Sequence, residues 1–215
     1  MEPLYVIACA TVSEELRPFL PPDTVIKELR FGLHRDPAQL RDALQQEIDA
    51  APAGFTVLLG YGLCGGGADG LRATHNRLVI PRTHDCIALF LGSREAHQRQ
   101  IAQEIGTYYL TKGWIEVDSL WDQWDRLTKK YGPERGAEIA RMAVENYTRM
   151  AFIATGASNL DHYRETARQW ADMYRLRYDE IEGSPIYLEA LAAGAWDERF
   201  IIVEPGETIR LNAFL

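Results

Sequence analysis

The sequence predicts an α/β protein: a mostly parallel, Rossmann-like sheet with helices on both faces and a helical excursion in the middle. Three observations predict it. Short apolar runs alternate with helical repeats along much of the chain. The runs at 55–61 and 78–82 are nearly all apolar, as in strands covered on both faces. No internal repeat or low-complexity segment interrupts the alternation. Taken in order, residues 5–11 read as a strand and 13–19 as a helix, with Ser13 as N-cap and Glu14 and Glu15 at its positive end. Residues 24–33 mix charged and apolar side chains and suit a sheet edge. Asp36 then caps a helix with Pro37 at its first position and Leu40, Leu44 and Ile48 at helical spacing. Strands follow at 55–61 and 78–82, then helices capped by Asp85 (86–91) and by Ser93 (through 105).

Residues 118–150 form the excursion, with Trp121, Trp124, Leu127, Ile139, Met142 and Ala143 at helical spacing and a break at Gly132-Pro133. Alternation resumes with a strand at 151–155, a helix at 163–174, a short strand at Ile181, a helix at 185–193 and a strand at 200–204. Trp121, Trp124, Trp170, Trp196 and Tyr131 read as packing residues. The aromatic stretch 106–116 reads as a strand and its turn, or as the lining of a pocket. With no Pro- or Ser-rich linker to mark a boundary, residues 1–215 are expected to form one domain rather than two lobes.

A chain of 215 residues, 47% hydrophobic and 25% charged, buries a substantial core without cross-links. Its net charge of −8 argues against nucleic acid and against anionic membrane surfaces. No apolar stretch approaches the ~20 residues of a membrane helix, and the N-terminus has no signal-peptide pattern. Three cysteines without an export signal point to reduced thiols and a cytoplasmic location.

Each of those cysteines stands where a strand-like run gives way to a turn: Cys9, Cys64 and Cys86. On neighbouring parallel strands they would share the rim at which open α/β sheets bind ligands. Gly65, Gly66 and Gly67 follow Cys64 directly, and successive glycines can turn backbone N–H groups toward an anion or lower a thiol pKa. Cys86, in the first turn of its helix, gains from the helix dipole. The bland readings are a flexible turn and core thiols; it is the convergence that favours a site. His34 closes the second strand candidate and His84 precedes Cys86 by two residues. Cys9, Cys64 and Cys86 with His34 or His84 therefore form a candidate soft metal site, for zinc or alternatively an iron–sulfur cluster. Gly65, Gly66, Gly67, Arg82 and Asp85 are the candidate substrate- or anion-binding residues. The glycine run lacks the Lys-Ser/Thr of a Walker loop.

The segments Gly60-Tyr61-Gly62-Leu63-Cys64-Gly65, Pro81-Arg82-Thr83-His84-Asp85-Cys86-Ile87 and Gly106-Thr107-Tyr108-Tyr109-Leu110-Thr111-Lys112-Gly113-Trp114 resemble a bacterial and archaeal domain-of-unknown-function family. The resemblance implies association with corrinoid-dependent methyltransferase systems, although the chain has no Asp-x-His-x-x-Gly cobalamin segment. The expected function is that of a metal–thiolate protein in methyl-group or one-carbon metabolism, with metal-dependent methyl transfer to a thiol as its enzymatic form. A small-molecule substrate or a corrinoid methyltransferase protein is the expected partner. The alternative is a non-catalytic accessory or metallochaperone for such a system. Metal-free, racemase-like thiol chemistry ranks below both, because all three cysteines come from the first half of the chain.

Overall fold

The computed structural model describes residues 2–117, 120–156, 159–194 and 196–215. The chain is α/β, and it divides into two compact units: residues up to Arg94 together with Pro185–Leu215, and Glu95–Ser184. Where the sequence predicts one sheet, the strands form two. The alternation of strand and helix patterns is local, whereas the choice of pairing partner is not.

The first unit contains β1 (Leu4–Cys9), α1 (Ala10–Leu16), β2 (Val25–Leu29), α2 (Pro37–Ala50), β3 (Thr56–Gly60), β4 (Arg77–Pro81) and α3 (Ile87–Leu91). Its sheet has the order β2-β1-β3-β4-β8, with β8 at Phe200–Val203. The first four strands run parallel, and β8 closes the β4 edge antiparallel. Val6, Ile7, Val57, Leu58, Leu59, Leu78, Val79 and Ile80 are fully buried, which accounts for the continuous apolar runs of the central strands. Mixed-charge β2 lies at the edge, as expected. Asp36 caps α2 by accepting from the N–H groups of Ala38 and Gln39, with Pro37 in the first turn.

Two helix starts differ from expectation. The first helix begins at Ala10, so Ser13 lies inside it and Cys9 is its N-cap. The cause is packing: a Cβ on Gly60 would come within 2.6 Å of Ala8 Cβ and 3.2 Å of Val12 Cγ1, so α1 seats directly on the end of β3. Cys86 is the N-cap residue of α3 rather than a residue of its first turn.

The second unit contains β5 (Thr107–Leu110), α5 (Lys112–Val117), α6 (Leu120–Tyr131), α7 (Pro133–Met142), β6 (Arg149–Ala154), α8 (Asp161–Tyr174) and β7 (Arg177–Glu182). From Glu95 onward α4 (Arg94–Gln103) also belongs to the second unit, and α9 (Ile186–Ala193) belongs to the first. The sheet β5-β6-β7 is parallel. The predicted excursion is the α6–α7 hairpin, although Asp118, where it was expected to begin, lies outside the described residues. Leu120, Ala140 and Val144 pack with Met150, Phe152 and Trp170. Trp121, expected to pack, is 54% exposed, and Tyr131 is exposed as well.

The α6–α7 turn uses Gly132 at φ +84° with Pro133 opening α7. The two helices then touch through Gly136, where a Cβ would come within 2.4 Å of Thr128 Cα and 2.5 Å of the Leu127 carbonyl oxygen. Gly136→Ala therefore forces the helix backbones apart, at a cost of about 1–3 kcal/mol. The expected outcome is a lower urea midpoint for the second unit; an unchanged midpoint would show that this close approach is not required.

Candidate functional site

Cys9, Cys64 and Cys86 follow or end β1, β3 and β4, which are consecutive parallel neighbours. Their ends therefore open onto one edge of the sheet. The segments after β3 and β4 are tied main chain to main chain. The Leu63 N–H donates to the Thr83 carbonyl (2.8 Å) and the Cys64 N–H to the His84 carbonyl (2.9 Å). Gly62 permits this approach: a Cβ there would lie 2.6 Å from Thr83 Oγ1 and 2.7 Å from Thr83 O. Thr83 Oγ1 donates to the Asp85 carbonyl (2.8 Å), and Asp85 Oδ1 accepts from the Ile87 N–H (2.9 Å), which fixes the start of α3. On the neighbouring strand, the Thr11 hydroxyl donates to the sulfur of Cys9 (3.4 Å).

Cys64 adopts φ +47°, a left-handed conformation that a residue with a Cβ rarely takes. Gly65 and Gly66 continue it at +67° and +99°. The strain at Cys64 positions its thiol within a bend that glycine would form more readily.

Cys9 and Cys64 are buried and Cys86 is half-buried. Burial pushes the Cys64 thiol up to about 12, and the negative charges of Asp85 and Cys9 act in the same direction. Cys86 is raised well above its ordinary value by burial, then by Cys64, Asp85 and Cys9. The expectation that the glycine turn and a helix dipole would lower these thiols is therefore reversed. Burial outweighs the backbone donors, and α3 is only five residues long. Burial thus favours the protonated thiols of Cys64 and Cys86, and a bound cation would favour their thiolates.

Tyr61 lies immediately after β3. Its hydroxyl is raised by burial and then by Cys9, Cys64 and Cys86 in turn. It is 4% exposed, and its hydroxyl has no hydrogen-bond partner. A buried hydroxyl left unpaired costs about 1–3 kcal/mol. Ser13 Oγ, four residues beyond Cys9, is a second buried hydroxyl without a partner. Neither was a candidate from sequence. The available signal was the position of Tyr61, between two glycines at the end of a central strand.

The other candidates are placed differently. His84 is exposed and contributes its carbonyl to the Cys64 N–H. His34 lies in the 3₁₀ turn Leu33–Arg35, its ring edge-on to Phe31 at 5.6 Å and its carbonyl close to Gly65. Among the described residues, no three His, Cys, Asp or Glu side chains stand ready to hold a metal ion. The N–H groups of Gly66 and Gly67 donate to Leu63 O and Cys64 O, so they close the turn instead of pointing to a common anion. Gly67 also packs against Leu40, whereas Gly66 faces open space. Arg82 is half-buried, its main-chain N–H on the Arg199 carbonyl and its buried Nε without a partner.

In the second unit, a cleft of about 320 Å³ is lined by residues that include Arg141, Tyr147, Tyr174 and Arg175. Arg141 Nε caps the end of α8 through the Met173 carbonyl (3.0 Å), and its guanidinium lies over Trp124. That arginine is explained by helix capping.

Among the described residues, no helix is long and apolar enough to cross a membrane. A family model described as a protein of unknown function (DUF1638) matches residues 29–192, a span that holds Cys64 and Cys86 and begins after Cys9. No curated protein and no solved structure matches.

Proposed function

The chain belongs to the DUF1638 family, and we propose that it is a metal–thiolate protein of methyl-group or one-carbon metabolism. Cys9, Cys64 and Cys86 hold zinc or an iron–sulfur cluster in this reading, and the reaction served is methyl transfer to a thiol. The observation that carries it is the placement of three chain-distant thiols at or just beyond the ends of the neighbouring parallel strands β1, β3 and β4. A soft cation would favour the thiolate forms that burial disfavours at Cys64 and Cys86. Such a metal would supply the positive charge that lowers the pKa of a substrate thiol and makes it a nucleophile toward a methyl group. The methyl donor follows from the resemblance of the motif segments to a family associated with corrinoid-dependent methyltransferases. The partner is then a corrinoid protein, and the three thiols provide the acceptor side.

One observation favours a second reading, that of an accessory protein or metallochaperone. Among the described residues, no three ligating side chains are poised to close on a metal ion. Sulfur atoms around a single zinc stand roughly 3.5–4 Å apart. A site whose ligands are not set for the ion beforehand suits a carrier, which must release its metal.

Anaerobic purification followed by metal and acid-labile sulfide analysis tests the site. The expected result is zinc, or iron with sulfide, in stoichiometric amount and lost in Cys86→Ser. Trace metal in both proteins would end the proposal. Transfer of a methyl group from a methylated corrinoid protein to a small thiol separates the enzyme from the carrier, which would deliver metal without turnover.

A further inference from the structure

Strand register brings two buried, unsatisfied donors to neighbouring places at the end of the first sheet. The offset that sets Thr56 opposite Arg77 and Leu58 opposite Val79 sets Gly60 opposite Pro81 and, one residue on, Tyr61 opposite Arg82. Hydrogen bonds beyond the strands hold that register. The Leu63 N–H donates to the Thr83 carbonyl (2.8 Å), and the Arg82 N–H to the Arg199 carbonyl across the β8 side (2.7 Å). Side chains alternate between the faces of a sheet along each strand, and residues level with one another share a face. The Gly60 level faces α1, because a Cβ there would meet Ala8 and Val12. Tyr61 and Arg82 therefore share the opposite face. That is the face of α2, since right-handed crossovers running in opposite directions, β1 to β2 and β2 to β3, put their helices on opposite sides.

Each of the two ends in a donor that the protein leaves unused. Tyr61 is 4% exposed, and its hydroxyl has no partner. Arg82 is half-buried, its Nε is buried without a partner, and its side chain makes no ion pair or hydrogen bond among the described residues. Arg41 shows the contrast: its Nε is also without a partner, but a terminal nitrogen donates to the Gly66 carbonyl (3.0 Å) and so holds the glycine turn. Arg82 has no such structural employment. Phenylalanine and methionine would fill the two places without an unsatisfied donor, so packing alone does not call for these side chains. A fixed positive charge beside a neutral hydroxyl donor, with no acceptor between them, complements an oxyanion. The pair also stands at the carboxyl ends of parallel strands, the edge at which open α/β sheets hold their ligands.

We propose that the Tyr61 hydroxyl and the Arg82 guanidinium together bind an oxyanion, the carboxylate or phosphate group of a small ligand, at the carboxyl edge of the first sheet. The site goes beyond the metal–thiolate reading and requires no metal. The half-exposed Arg82 gives the anion its way in, and Tyr61 supplies the buried end of the site.

The test measures the melting temperature of the full-length protein, with a chelator present, against rising sodium phosphate and separately against rising sodium acetate. Ionic strength is held constant with sodium chloride. Wild type, Arg82→Met, Tyr61→Phe and the exposed-site control Arg210→Met are compared. At least one of the two anions is expected to raise the wild-type melting temperature in a saturable way, and the tighter of them identifies the acidic group of the ligand. Its apparent dissociation constant is expected to rise tenfold or more in Arg82→Met and about tenfold in Tyr61→Phe, and to stay unchanged in Arg210→Met. Without anion, Arg82→Met and Tyr61→Phe are expected to melt at the wild-type temperature or above, since each loses only an unsatisfied donor. A wild type that responds to neither anion overturns the proposal and leaves the two donors to water. Equal anion affinity in wild type and Arg82→Met overturns it as well, because the anion then binds elsewhere. Either failure leaves the metal analysis of the purified protein untouched.

Discussion

Cys64→Ala is expected to abolish metal binding, and Cys64→Gly to abolish it equally while leaving the metal-free fold more stable than the alanine variant. Loss of one of three thiolates costs far more than the roughly 10–100-fold that a mere supporting contact costs in metal affinity. The stability order follows from the backbone. Cys64 is held at φ +47°, and a left-handed residue with a Cβ costs about 1–2 kcal/mol. Glycine escapes that cost but loses roughly 0.5–1 kcal/mol of chain entropy. Both substitutions remove the buried sulfur, so the comparison between them isolates the strain. Urea unfolding of the two metal-free variants is expected to place glycine ahead by about 0.5–1 kcal/mol. Equal midpoints, or alanine ahead, would show that the conformation at Cys64 is unstrained. The pair tests whether the fold gives up stability to hold a thiol where a glycine fits best.

Arg149→Met is expected to be the most damaging single change in the second unit. Arg149 is 3% exposed at the start of β6. Its Nε donates to Thr107 Oγ1 (2.9 Å), one terminal nitrogen to Asp179 (3.1 Å) and the other to Gln100 Oε1 (3.1 Å). Glu104 lies 3.8 Å away. The residue thus links α4, β5, β6 and β7 through one planar group. Methionine fills the volume but leaves Thr107 and Gln100 without this donor and Asp179 with the Arg177 guanidinium and the Glu180 N–H. Removing one partner from a buried charged network costs about 3–5 kcal/mol. The half-exposed Asp179 and the surviving Arg177 contacts to Asp179 and Glu104 bring the expectation to roughly 2–4 kcal/mol. Calorimetry should show the second unit melting well below its wild-type temperature. Retention of the wild-type melt would mean that this arginine adds nothing beyond a methionine's packing.

The parts of the fold that were legible in the sequence are those decided by local chemistry. Asp36 and Pro37 open a helix because one side chain accepts the first free N–H groups and the other has none to offer. The apolar runs of β3 and β4 declare central strands, and the charges of β2 declare an edge. Strand ends on a parallel sheet share an edge, so the placement of the Cys9, Cys64 and Cys86 segments along one edge was readable before any coordinate. What escaped depends on contacts far apart in the chain. Ser13 has the composition of a cap, but Gly60 lets α1 settle four residues earlier. His84 is close to Cys86 in sequence and His34 follows a neighbouring strand, yet the turns that carry them present a carbonyl to Cys64 and a ring to Phe31. The direction of the thiol pKa shift also escaped, because burial is a property of the packed site and not of the glycines beside it. The division into two sheets depends on β6 pairing with β5 and β7 across intervening helices, which no local pattern records.

The antiparallel seat of β8 against β4 has a consequence for how the protein is made. The strand that completes the first sheet is encoded after the whole second unit. On the ribosome, β4 therefore emerges with its outer row of N–H and C=O groups unpaired. It must wait on the order of ten seconds, at ordinary elongation rates, before Phe200–Val203 arrives. During that interval the edge beside the Cys86 segment is open to other chains. The second unit, continuous in sequence, can finish folding while the first is still incomplete. The thiol-bearing loops, tied together by the backbone bonds of Leu63 and Cys64, belong to the unit that is completed last.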